Sequence, residues 1–183
     1  MSKDIFVVIE QRNGNIQKVS YELISEATKL AADLGEQVVA VLMGYNIAEK
    51  ADSLIHFGAQ KVIVIDTPVL EHYTTEPYVK GIQYVIENFE PNIVLFGASS
   101  IGRDMAPRIA GRVHTGLTAD CTELSIEAES GLLLQTRPAF GGNMMATIRT
   151  ATRRPQMATV RPGVLPLPEP AETELCQSVA VPY

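Results

Sequence analysis

The sequence has no tryptophan, and aromatic residues make up only 6% of its 183 positions. Its two cysteines, Cys121 and Cys176, lie far apart, with no CxxC pair and no histidine beside either. That pattern argues against a zinc site and against a disulfide framework. No apolar run reaches the roughly 18 residues that a membrane helix needs. The opening residues, MSKDIFVVIE, run straight into a strand-like stretch and show no signal-peptide pattern. These absences predict a cytoplasmic protein (matrix, if mitochondrial) without membrane insertion. Lysine is absent after Lys80, and acidic residues are absent from 131 to 168. The net charge is −6. An acidic chain without a lysine cluster is a poor nucleic-acid binder, because phosphate neutralisation supplies most of that affinity. No GxGxxG follows the first strand-like run, and there is neither a GxxxxGK[ST] nor a GxSxG. His56, His72 and His114 stand near no Ser or Cys nucleophile in a recognised order.

What is present is an alternation. Ile5, Phe6, Val7, Val8 and Ile9 form a short β-branched run that reads as a strand buried on both faces. Leu23, Ala27, Leu30, Ala31 and Leu34 then recur at helical spacing, with Ser20 as the expected N-cap and Gly35 as the stop. Strand-like runs at 38–43, 62–65 and 93–96 follow. The helical stripes between them carry Ala51, Leu54 and Ile55, and then Tyr78, Ile82, Val85, Ile86 and Phe89. A fourth stripe has Met105, Ile109 and Val113, and Pro107 sets its expected start near Arg103. Four strand–helix units predict a Rossmann-like α/β sandwich, a parallel sheet with right-handed crossovers and helices on both faces. Ligands of such sheets sit at the carboxyl ends of the strands. Here that rim comprises residues 10–11, 44–45, 66–67 and 97–100.

The last third changes style. Strand-like runs at 132–137 and 144–149 flank a double-glycine turn, a hairpin signal. Another strand-like run, 157–160, precedes a tract with Pro166, Pro168 and Pro170 that reads as an extended linker. The acid-free stretch holds Arg137, Arg149, Arg153, Arg154 and Arg161. Arginine without lysine points to planar, bidentate recognition, with a solvated basic face as the plain alternative. The predicted organisation is one domain over 1–165, with a C-terminal β-rich arm at about 117–165 and a Pro-rich tail at 166–183.

Two segments concentrate chemistry. GASSIGRD (97–104) is a Gly/Ser turn entering a helix, where free N–H groups suit an anion and a structural turn fits equally. QTRPAFGGN (135–143) sets Arg137 beside Gly141, Gly142 and Asn143, where a flat ligand can approach the backbone. Cys121 reads as a buried small hydrophobe, and His56 as a packed or surface histidine. His114 reads as a loop-satisfying residue.

At these residues the chain resembles the N-terminal domain of the electron transfer flavoprotein alpha subunit. The matching segments are GASSIGRDMAPRIA (97–110), TGLTADCTEL (115–124), QTRPAFGGNMMATI (135–148) and RPQMATVRPGV (154–164). The chain departs at Ser100, where the family commonly has threonine. The resemblance implies an adenine nucleotide alpha hydrolase-like sandwich. It also implies an alpha–beta heterodimer that carries electrons from acyl-CoA or similar dehydrogenases, through FAD, to a redox acceptor. The family's alpha subunit holds its FAD in a separate C-terminal domain with a Gly/Ser/Ala-rich pyrophosphate segment. No such segment occurs in these 183 residues, so FAD is expected in the heterodimer and none on this chain alone. The chain would then serve as subunit interface and flavin wall. Arg137, Gly141, Gly142 and Asn143 would face the flavin of the beta subunit, with a structural brace as the other reading of Arg137. Without its beta partner the chain is expected to self-associate. The alternative is an AMP- or ATP-binding module of the same sandwich class, but Gly97, Gly102 and Gly111 lack the GxxGxxxxG-like spacing that it would use.

Overall fold

A computed structural model describes residues 3–139, 144–171 and 178–181. Strand β1 (Ile5–Ile9) is buried along its whole length, as its continuous apolar run requires. A small hairpin, β2 (Gln11–Arg12) with β3 (Asn15–Ile16), leads into helix α1 (Lys18–Leu34). Strand β4 (Val38–Gly44), helix α2 (Ala51–His56), strand β5 (Lys61–Asp66), helix α3 (Thr75–Phe89) and strand β6 (Ile93–Gly97) follow. Helix α4 (Ser100–Arg112) completes the fourth unit. The rest is β: β7 (Leu117–Cys121), β8 (Glu123–Ile126), β9 (Leu133–Pro138), β10 (Met145–Ile148), β11 (Gln156–Val160) and β12 (Ser178–Ala180).

The central sheet has seven strands in the order β12-β5-β4-β1-β6-β11-β7, and every neighbouring pair is parallel. Alternate residues of β1 serve opposite layers, as the two-residue period of a strand demands. Ile5, Val7 and Ile9 pack with α1 and α2. Phe6 and Val8 pack with α3 and α4. Phe96, fully buried in the second layer, contributes about 1.5–3 kcal/mol by leaving water. The expected α/β sandwich is therefore present.

Four local expectations change. Helix α1 starts at Lys18 with Gln17 as N-cap, so Ser20 lies inside it. The buried Ser20 hydroxyl instead accepts from the Glu10 N–H at 2.8 Å, tying the helix to the end of β1. Helix α4 starts at Ser100 rather than Arg103. Ser99 caps it, accepting the Gly102 N–H at 3.2 Å, and Pro107 is tolerated inside at the cost of one backbone bond. In the stretch expected as an arm, β7 and β11 are strands of the central sheet, and β11 is buried at all five positions. Only β8, β9 and β10 form a separate antiparallel sheet, in the order β10-β9-β8. Finally, part of the Pro-rich tail returns as β12 and pairs with β5 at the sheet edge.

Candidate functional site

The strand order reverses around β1: the chain runs outward through β4 to β5 on one side and then crosses back to β6 on the other. An open α/β sheet offers its ligand crevice at this point, beyond the carboxyl ends of the strands. Here Glu10, Gln11, Tyr73, Tyr78, Gly97 and Met105 close over it. The Gln11 amide donates to the Tyr78 hydroxyl at 3.1 Å and to the Met43 carbonyl at 3.3 Å, and Tyr78 donates to the Leu70 carbonyl at 2.8 Å. The enclosed space beneath these side chains is about 20 Å³, and open clefts of about 330 and 360 Å³ lie beside it along the rim, at Tyr73 and Ser100 and at Tyr45 and Asn46. The enclosed space holds about one water.

The chain's own carboxylates also occupy the places where an anion would bind. Glu10 is buried and accepts the Ser99 hydroxyl at the start of α4 and the Arg12 guanidinium at 3.0 Å. Asp66 accepts the N–H groups of Asn46, Ile47 and Ala48 at 2.8–3.1 Å. A Cβ on Gly102 would stand 1.8 Å from the Gly97 carbonyl oxygen, so strand end and helix start are in direct backbone contact. No phosphate fits between them. The junction of β6 and α4 thus offers no pyrophosphate cradle for the FAD that the family resemblance implies.

A different cluster forms where β7, β9, β11 and α4 converge. Asp120 sits at a bulge of β7, in the left-handed backbone region at φ 62°, where the register against β11 shifts. Its N–H donates to the Thr159 hydroxyl at 2.9 Å. Its carboxylate receives Arg161 through two bonds, at 2.7 and 3.2 Å, and Arg103 at 3.4 Å. Arg103 also donates from Nε to the Ala98 carbonyl at 2.9 Å. These bonds, above all those from Arg161, hold the Asp120 carboxyl below the usual carboxylate range, and the positive charges of Arg103 and Arg137 act in the same direction. Burial pushes the neighbouring Cys121 thiol up to about 11, against the pull of Arg137, so it stays a neutral thiol at neutral pH. Cys121 is fully buried, as expected of a small hydrophobe.

Only the first of the two chemistry-bearing segments bonds Asp120, through Arg103. Arg137, half-buried on β9, belongs to the second. Among the described residues Arg137 makes no ion pair. Gly141, Gly142 and Asn143 lie outside the described residues. Asp120 and Arg161 were not legible as partners, since 41 residues separate them and nothing local marks the pair. Arg149 is likewise used internally, on Glu127 at 2.8 Å. The histidines stay apart: His56 contacts the Ala171 carbonyl, His72 lies at the rim, and His114 borders a groove with Arg112 and Arg154. Among the described residues no group of histidine, cysteine or carboxylate side chains is placed to hold a metal ion, and no helix is long and apolar enough to cross a membrane.

A Rossmann-like parallel sheet whose β6–α4 junction is closed by its own side chains, with an arginine-rich rim and a separate three-stranded sheet, defines a relative of the nucleotide-binding folds. Comparison with known proteins specifies which one. The family described as the electron transfer flavoprotein domain matches residues 5–182. The electron transfer flavoprotein subunit alpha of Thermoanaerobacterium thermosaccharolyticum is 56% identical over 163 residues, covering 89% of this chain and 49% of that protein. The lactate dehydrogenase (NAD(+),ferredoxin) subunit LctC of Acetobacterium woodii is 48% identical over 167 residues, covering 91% of this chain and 40% of that one. The acryloyl-CoA reductase electron transfer subunit beta of Anaerotignum propionicum is 43% identical over 201 residues, covering 97% and 55%. The chain belongs to the electron transfer flavoprotein family and corresponds to its alpha-type N-terminal domain. It spans about half the length of the curated relatives that it matches.

Proposed function

We propose that this chain serves an electron-transfer flavoprotein heterodimer as the subunit interface and as one wall of a flavin site, without housing a dinucleotide itself. The observation that supports this reading is the junction of β1, β6 and α4, where Gln11 bonds Tyr78 and Ser99 bonds Glu10 in the place of a pyrophosphate cradle. FAD in the heterodimer would supply the redox chemistry, and the protein would supply position and electrostatics. Arg137 would offer that wall a cation, which favours added negative charge on whatever group faces it. The neighbouring Gly141, Gly142 and Asn143 would shape the same approach. The partner would be the beta subunit, with electron donors among acyl-CoA or similar dehydrogenases and a redox acceptor beyond. The relatives' names, a lactate dehydrogenase subunit and an acryloyl-CoA reductase electron transfer subunit, support a dehydrogenase or reductase as the redox partner.

The test begins with colour. The purified 183-residue chain is expected to be colourless and to show no thermal shift with FAD or AMP. A yellow preparation at near-unit flavin stoichiometry would overturn the reading. In the heterodimer, Arg137→Ala is expected to lower the reduction potential of one flavin, or weaken its binding, and to leave the melting temperature of this chain unchanged. A lost fold or a lost dimer with an unchanged potential would assign Arg137 to bracing instead.

A further inference from the structure

A line of side-chain bonds crosses the amino ends of β6 and β11, at the opposite end of the strands from the rim. It begins on the small sheet. The Leu133 N–H, at the first residue of β9, donates to the Gln156 side-chain oxygen at 2.8 Å. The Gln156 amide donates to the Asn92 side-chain oxygen at 3.2 Å, and the Asn92 amide donates to Glu36 Oε1 at 3.0 Å. Gln156 and Asn92 are both buried. A backbone N–H only donates and an ionised carboxylate only accepts, so the two ends fix the orientation of both amides between them. The four residues come from β9, from the start of β11, from the loop ahead of β6 and from the loop after α1. At the far end, Glu36 Oε2 is buried with no hydrogen-bond partner among the described residues. A second carboxylate stands beside it. Asp4 accepts the Gln37 N–H at 3.1 Å through its side chain and the Asn92 N–H at 3.0 Å through its carbonyl. Asp4 and Lys3, both ahead of β1, are the charged groups that act on Glu36, Asp4 favouring its protonated form and Lys3 opposing it. Burial is the largest influence. It outweighs the bond from Asn92 and holds the Glu36 carboxyl above the usual carboxylate range.

We propose that Glu36, Asn92 and Gln156 form a proton-sensitive latch, which ties the small sheet to the central one most firmly when Glu36 is protonated. The sign follows from the orphaned oxygen. An ionised carboxylate with one oxygen buried and unpaired gains water when the latch opens, so ionisation favours the open state. A protonated carboxyl carries its hydrogen on Oε2 and keeps Oε1 as the acceptor for Asn92, so the line stays whole and the buried charge is gone. The contribution of Glu36 is therefore complete below pH 4.5, the ordinary glutamate value, and is lost as pH rises through the raised value. The latch bears on β9, the strand that carries Arg137 and pairs with the exposed edge β10. The inference goes beyond the flavin reading, because it rests on these bonds and the orphaned oxygen and stands whether or not a flavin approaches the small sheet.

The test is amide hydrogen exchange on the 183-residue chain, followed by NMR at stepped pH and corrected for the intrinsic exchange rate. The Leu133 N–H reports the latch, and the Leu42 N–H, within the fully buried β4, reports the whole sandwich. Protection of Leu133 is expected to rise as pH falls towards 4.5, by up to about tenfold for each unit by which Glu36 is raised, and by more than that of Leu42. Glu36→Gln removes the charge and leaves an acceptor for Asn92. It is expected to show at neutral pH the protection that the unaltered chain reaches in acid, and to lose the pH response. Asp33→Asn, an equal loss of charge on the exposed face of α1, is expected to keep that response. In Gln156→Met, Leu133 is expected to lose protection and pH response together, since its acceptor is gone. Glu36→Gln removes no bonded partner, so it decides the matter alone should Gln156→Met fail to fold. The proposal is overturned if Leu133 protection does not rise in acid, or if the rise persists in Glu36→Gln or in Gln156→Met. It is equally overturned if Leu42 responds as strongly as Leu133, which makes the effect a property of the whole fold.

Discussion

Gln135 is fully buried on β9, and neither its amide nitrogen nor its amide oxygen has a hydrogen-bond partner among the described residues. Its cross-strand neighbours are Leu124 on β8 and Ile148 on β10, both apolar. An unsatisfied buried polar group costs about 1–3 kcal/mol, so Gln135→Met, similar in volume, is expected to stabilise the fold by an amount of that order. Urea unfolding measures it, and a loss of stability would show that the amide has a partner. Tyr73 is the opposite case, a polar group fully engaged. Its hydroxyl donates to Asp104 at 2.7 Å, and Thr75 donates to the same oxygen at 2.6 Å. Burial first, and then the bond to the Asp104 carboxylate, push the Tyr73 phenol up to about 12. An unfolded tyrosine loses its proton near 10. The stability that Tyr73 contributes is therefore whole below pH 10 and is lost as pH rises towards 12. Tyr73→Phe is expected to flatten the fall in stability between those values. An unchanged slope in unfolding measured at stepped pH would contradict the assignment.

At the scale of elements, the start of α4 decides how the crevice is closed. Ser99 serves two purposes, accepting the Gly102 N–H as N-cap and donating to Glu10. Ser99→Ala is expected to cost about 1 kcal/mol as a lost cap. Gly102→Ala is a different matter, since its Cβ would stand 1.8 Å from a backbone carbonyl oxygen that cannot move without shifting β6. A loss of about 4 kcal/mol or more is expected, among the largest single-site effects. Thermal unfolding of the two variants side by side checks the order, and similar melting points would contradict the direct backbone contact. The glycine in GASSIGRD is thus explained by packing, which spacing alone left level with anion binding.

For the molecule as a whole, the exposed face is the small antiparallel sheet. Strand β10 is its edge, and Met144, Met145 and Ile148 stand out to solvent at 66%, 56% and 39%. An edge strand with apolar side chains is a template for another chain. The isolated chain is therefore expected to self-associate in sedimentation, and Met144→Ser with Met145→Ser to return it to monomer with an unchanged melting temperature. A strictly monomeric parent chain would count against β10 as the contact. At the opposite edge of the central sheet, β12 covers β5, so the tail joins the fold that it was expected only to leave.

The alternation of β-branched runs and helical stripes, with Gly35 stopping α1 at φ 65°, determined the sandwich and its helices, because each of those signals acts within a few residues. The resemblance carried by four segments named the family for the same reason: the segments are contiguous. Tertiary structure alone decided where β11 goes. Five residues reading QMATV carry no mark of whether they lie in an arm or between β6 and β7, and that choice is settled by burial and by Gln156 bonding Leu133 and Asn92 at 2.8 and 3.2 Å. Tertiary structure alone also closed the β6–α4 junction and brought Arg103 and Arg161 to Asp120. A pair such as Asp120 and Arg161 is made by strands that meet only after the sheet has formed, and no local pattern encodes a contact across 41 residues.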